Sequence, residues 1–99
     1  LEVETQTDEL LQLLRDAPLP LIAARIKRAR KAAGLSHDRL GELAGGIHRP
    51  NLIGLEQGKH RPRMKTLERI AEATGRDARW FVDPEVDPSP FPADQEAAA

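Results

Sequence analysis

The chain has 99 residues, 39% hydrophobic and 31% charged, with no cysteine and a formal net charge of −1. That length holds one modest core, and the lack of cysteine excludes a disulfide framework and a thiolate metal site. No apolar run approaches the roughly 18 residues that span a bilayer, and the acidic start lacks the pattern of a secretory signal, so a soluble cytoplasmic protein is expected.

In chain order, the first element is expected from Thr7 to Ala17, with Thr7 as its cap and Asp8 and Glu9 in its first turn. Leu10, Leu11, Leu13, Leu14 and Ala17 form a wide apolar stripe. That stripe either packs on its own domain or meets a partner or a second copy. Pro18 and Pro20 end this helix. A second helix is predicted over Leu21 to Ala33, with Ile22, Ile26, Ala29 and Ala33 recurring every three or four residues. Arg25, Lys27, Arg28, Arg30 and Lys31 then give it a strongly basic outer face, and Gly34 stops it.

Ser36 caps a third helix whose buried set is Leu40, Leu43 and Ala44, and Gly45-Gly46 breaks it. A fourth runs from near His48 to Gly58, burying Leu52 and Leu55, with Pro50 tolerated in its first turn. The loop Lys59-His60-Arg61-Pro62-Arg63 follows. Met64, Leu67, Ile70, Ala71 and Thr74 mark a fifth helix ending at Gly75, and Asp77 caps a last turn carrying Trp80, Phe81 and Val82. Beyond lies a Pro-rich acidic tail that reads as disordered. Its end, Glu96-Ala97-Ala98-Ala99, is either a plain frayed terminus or a small apolar degradation tag. The expected organisation is an acidic N-terminal arm with a short Leu-rich helix (1–20), an all-α domain (21–82) and the tail (83–99).

The near-zero net charge hides a segregation that matters for partners. Residues 23–79 hold fourteen Lys or Arg against six Asp or Glu, a net +8, while residues 1–22 carry −4 and residues 80–99 carry −5. A compact basic block of this size is a footprint for phosphates, and acidic arms on both sides raise autoinhibition by folding back on it.

Two short helices joined by a glycine-containing turn, the second followed by a basic loop, are the parts of a helix-turn-helix. IKRARKAAGLSHDRLGELAG followed by LIGLEQGKHRPRMKTLERIAEATGRDARWF resembles the five-helix DNA-binding domain of lambda-type phage repressors and xenobiotic-response-element-like bacterial regulators. The resemblance spans residues 22 to 82 and rests on G-L-S, L-E-x-G-K and R-P-x-M-x-x-L-x-x-I-A in the family's order. It implies a five-helix lambda-repressor-like domain with an extra N-terminal helix and a disordered C-terminal tail. It further implies a phage-repressor-like transcriptional regulator on an operator in double-stranded DNA, acting in a bacterial or phage-infected cell.

The family's base-reading positions fall on Arg49, Pro50, Asn51, Ile53 and Gly54. With Leu52 and Leu55 inward, the face opposite has few donors, so readout falls to Arg49 on guanine, Asn51 on adenine and Ile53 on a thymine methyl, with Gly54 allowing close approach. Phosphate contacts are expected from Ser36, His37, Arg39, His48, Lys59, His60, Arg61 and Arg63, with Arg63 near the minor groove by resemblance. The sequence departs from the family in Gly45-Gly46, which reads as a one-residue insertion, and in His37, where the family commonly has Gln. Glu56 is expected to pair internally. A homodimer would use the N-terminal helix or exposed parts of Trp80 and Phe81. The competing reading is a protein-interaction or antitoxin-like module whose fold binds a protein partner. His37, His48 and His60 have neither a sequence-evident catalytic partner nor metal-ligand spacing, so no enzyme, metal or cofactor is expected.

Overall fold

The computed structural model describes residues 2–86, with side chains from residue 8 onward. Among these residues all regular structure is helical: α1 (Glu2–Asp16), α2 (Leu19–Ala32), α3 (His37–Leu43), α4 (Arg49–Glu56), α5 (Met64–Thr74) and α6 (Ala78–Val82). The acidic Pro-rich segment from residue 87, including the terminal Ala run, lies outside the described residues.

Local chemistry sets most boundaries. The Ser36 hydroxyl accepts from the Arg39 N–H at 3.0 Å, and the Asp77 carboxylate accepts from the Arg79 N–H at 3.0 Å, so α3 and α6 begin at side-chain caps. Pro20 sits in the first turn of α2, where its missing N–H has no partner to lose. The expected start of α1 at Thr7 is corrected: the helix extends back to Glu2, so Thr7 lies inside it. No Gly or Pro interrupts residues 2 to 17, and helix propagation outweighs a local capping preference.

The core is built by Ile22 and Ile26 of α2, Leu40 of α3, Leu52 of α4, Leu67 and Ile70 of α5, and Phe81 and Val82 of α6, all fully buried. Helix α2 packs on α4, α5 and α6, while α1 packs on α6 through a stripe in which Leu14 and Ala17 are buried. The leucine stripe of α1 therefore meets its own domain. Trp80 and Phe81 are buried, at 6% and 0% exposure, and meet edge to face with centroids 5.0 Å apart. They are core residues, with little of either ring left exposed to a second copy.

Two further expectations are corrected by packing. Leu43 is 47% exposed, because α3 turns only Leu40 and the following Ala44 inward. Arg25 and Arg30 are buried, so the outer basic face of α2 is reduced to Lys27, Arg28 and Lys31. Arg25 runs under α6, where Nη1 donates to the carbonyls of Trp80 (2.6 Å) and Asp83 (2.5 Å) and Nη2 to that of Val86 (2.9 Å). A cation there satisfies carbonyls left open at a helix C-terminus. The chain consequently stays on the domain as far as Val86, which packs against the core.

Candidate nucleic-acid interface

The geometry of the α3–α4 turn follows from three glycines. Gly45 and Gly46 have φ of 90° and 93°, a region that L side chains rarely adopt. Gly41 accepts hydrogen bonds from the N–H groups of both Gly46 (2.8 Å) and Ile47 (3.0 Å). A Cβ on Gly41 would collide with the Ile47 carbonyl oxygen. The turn is thus folded back onto the bare backbone of α3. Sequence reasoning passed over Gly41, although a glycine inside a helix costs about 1 kcal/mol and so signals a close approach.

Helix α4 is anchored from beneath by Glu56. Its carboxylate takes Arg30 Nε on Oε2 at 2.8 Å and Arg30 Nη2 on Oε1 at 3.1 Å, and His37 Nε2 lies 3.3 Å from Oε1. The Arg30 and Glu56 side chains are 10% and 5% exposed. Internal pairing of Glu56 is as expected, but one ring nitrogen of His37 is committed to it. The His37 ring therefore links α3 to α4.

The predicted base-reading residues separate into two groups. Arg49, Pro50 and Asn51 are exposed in the first turn of α4, and Ile53 is half-buried. Gly54 is buried: a Cβ placed there would lie 2.7 Å from Cε1 of His60, so the imidazole covers this position. Where an open approach is expected at Gly54, the His60 ring of the loop after α4 lies over the helix.

The predicted phosphate-contacting residues also divide. Ser36, Arg39, His48, Lys59, His60 and Arg63 are exposed. Arg39 reaches Glu42 at 3.0 Å and Arg49 reaches Asp38 at 3.8 Å, with all four side chains more than half exposed. Exposed pairs of this kind contribute about 0.2–1 kcal/mol, little enough for a phosphate to displace the carboxylate. Arg61 is exposed as well, and its Nη1 donates to the carbonyls of Leu14 (2.8 Å) and Ala17, so it also caps the C-terminal end of α1.

Beside α4, the α3–α4 turn, the loop after α4 and the exposed side of α5 enclose an open groove of about 440 Å³. His48, Asn51, His60, Arg63, Thr66 and Arg69 stand along it, and among the described residues no carboxylate lines it. Thr66 and Arg69 follow Arg63 at three-residue intervals, a helical spacing that sequence reasoning left unused. Arg69 lies over Gly45, with side-chain atoms 3.2 Å from where a Cβ would be. The arrangement offers cationic and neutral donors along one edge of a helix whose first turn is exposed, which suits a polyanion carrying base edges.

Among the described residues, no cluster of three or more His, Cys, Asp or Glu is placed to hold a metal ion, and no helix is long and apolar enough to cross a membrane. Comparison with curated proteins and with solved structures returns no match. The helix-turn-helix family model matches residues 26–81, from the middle of α2 into α6, and so contains α3, α4 and the basic loop. The chain belongs to the lambda-repressor-like helix-turn-helix family of DNA-binding regulators.

Proposed function

We propose that the chain is a sequence-specific transcriptional repressor that occupies an operator in duplex DNA and blocks polymerase by occupancy. The observation that carries this reading is the exposed first turn of α4, with Arg49 and Asn51, beside a groove without carboxylates that holds His48, His60, Arg63 and Arg69. Arg49 reads guanine O6 and N7 and Asn51 reads adenine, each such pair discriminating by about 1–3 kcal/mol. Ile53 adds apolar contact with a thymine methyl.

Phosphates are held by Lys59 and Arg63 beyond α4 and by Ser36 and Arg39 at the start of α3. The Ser36 hydroxyl accepts from the Arg39 N–H, so its own proton is available to an anion. These contacts set affinity and register without reading sequence. Such a repressor works in the cytoplasm of a bacterial or phage-infected cell. A second copy on a palindromic operator would use a surface other than Trp80 and Phe81, which are buried.

The test is a titration of wild type, Arg49→Ala and Lys59→Ala against a preferred duplex and a scrambled one at two salt concentrations. Lys59→Ala should weaken both duplexes equally and lower the salt slope by about 1, while Arg49→Ala relaxes one base position. Equal weakening of both duplexes by Arg49→Ala would remove that residue from the reading set. Equal binding of both duplexes by wild type would contradict the reading itself.

A further inference from the structure

Resting on that DNA-binding reading, we propose that His60 is a base-reading residue, supplied by the loop in place of the side chain that α4 lacks at Gly54. The ring is seated on α4: with a Cβ built on Gly54, Cε1 lies 2.7 Å, Nδ1 3.3 Å and Nε2 3.7 Å from it. Helical geometry aligns Gly54 with Pro50 and Asn51, which stand four and three residues before it and are both exposed. His60 therefore continues the row that begins in the first turn of α4. It is itself exposed and lines the same groove as Asn51.

Gly54 is necessary for this placement. Its φ is not positive, so glycine is not demanded there by the backbone, and a helix-interior glycine costs about 1 kcal/mol relative to alanine. What glycine supplies is room for the imidazole on the helix surface. Either ring nitrogen carries a donor or an acceptor according to tautomer, so the ring can bond a purine N7 or O6, or accept from an exocyclic amino group. Lys59, the neighbouring exposed loop cation, acts on phosphate.

The experiment is selection of bound sequences from a random duplex library by the full chain, run in parallel for wild type, His60→Ala, His60→Lys, Gly54→Ala and the double variant Gly54→Ala/His60→Ala. Circular dichroism first verifies that each variant is folded. Gly54→Ala displaces the far end of an exposed side chain and adds a better helix former, so it is expected to fold. Wild type should yield a motif, and His60→Ala should lose preference at one base pair by about tenfold while other positions persist. Gly54→Ala should relax that same base pair, and the double variant should be no worse than either single one. His60→Lys should retain overall affinity without restoring the preference.

If His60→Ala weakens every sequence equally and His60→Lys restores wild-type affinity, His60 is a phosphate contact and the inference fails while the DNA-binding reading stands. If neither His60→Ala nor Gly54→Ala changes the motif, the ring only covers the helix and the inference fails. If wild type yields no motif, both the inference and the reading beneath it fail.

Discussion

Arg30 holds Glu56 through two parallel hydrogen bonds, Nε to Oε2 at 2.8 Å and Nη2 to Oε1 at 3.1 Å, and donates its remaining Nη1 to the Leu35 carbonyl at 3.0 Å. One guanidinium thus joins α2, the loop before α3 and the end of α4. Removing one member of such a pair strands the other charge in a site it cannot leave cheaply. Glu56→Ala should lower stability by about 3 kcal/mol, whereas Arg30→Met/Glu56→Leu together should cost much less. Thermal unfolding reads the difference as a fall of more than about 10 °C in Tm for the single variant. Equal losses in the two proteins would show that packing volume, and not charge, holds α4.

Arg61 ties the loop after α4 to the end of α1 through the carbonyls of Leu14 and Ala17. Arg61→Ala should loosen α1 without unfolding the rest, at a cost of roughly 1.5 kcal/mol. Hydrogen exchange should rise in residues 8–17 while α3 and α5 stay protected. If DNA affinity falls as far as in Arg63→Ala with α1 exchange unchanged, Arg61 is a phosphate contact after all.

Gly41 is where the α3–α4 turn rests on α3. Gly41→Ala drives a methyl into the Ile47 carbonyl, a backbone atom that yields only by moving the turn. The variant should lose about 1–3 kcal/mol and misplace α4. Its DNA affinity should therefore fall even below its Tm. Gly34→Ala, which meets nothing within 4 Å but carries a φ of 70°, should lose stability and keep affinity. Wild-type stability and DNA binding in Gly41→Ala would contradict the packing described for this turn.

Asp83 sets an acid limit on the fold. Its carboxylate accepts from the Glu85 N–H at 2.9 Å and pairs with Arg79 Nε at 3.0 Å, and these two contacts, in that order of size, hold its pKa below the usual carboxylate range. A carboxyl depressed by folding stabilises the protein above its unfolded pKa, and that contribution fades as pH falls through the lower folded value. Asp83→Asn should lower Tm at neutral pH and flatten the loss of stability on acidification below about pH 4. Parallel Tm–pH curves for the two proteins would overturn this assignment.

Residues acting on their own neighbourhood were legible in the sequence. Ser36 and Asp77 cap helices because their oxygens reach an N–H two or three residues on, and Gly75 ends α5 in a left-handed turn. Glu56 was also read as internally paired. Residues acting across the chain were not. Arg25 and Arg30 occupy core-facing positions, three after Ile22 and four after Ile26, but a count restricted to apolar residues passes over them. Arg61 bonds carbonyls 44 and 47 residues away, and no local pattern encodes that reach. At the interface, Arg49, Pro50 and Asn51 were expected on an exposed helix start and are found there. The covering of Gly54 by His60 depends on how the loop returns over α4, where the Lys59 N–H donates to the Gly54 carbonyl at 3.0 Å, and no local pattern encodes that return.

The proposed repressor depends on this domain reading a DNA sequence. The most direct measurement is selection of bound duplexes from a random library, followed by titration of the preferred duplex and a scrambled control at two salt concentrations. One recurring motif is expected, with the control bound about a thousandfold more weakly and the affinity of both falling with salt. No recurring motif, with both duplexes lost equally as salt rises, would contradict it.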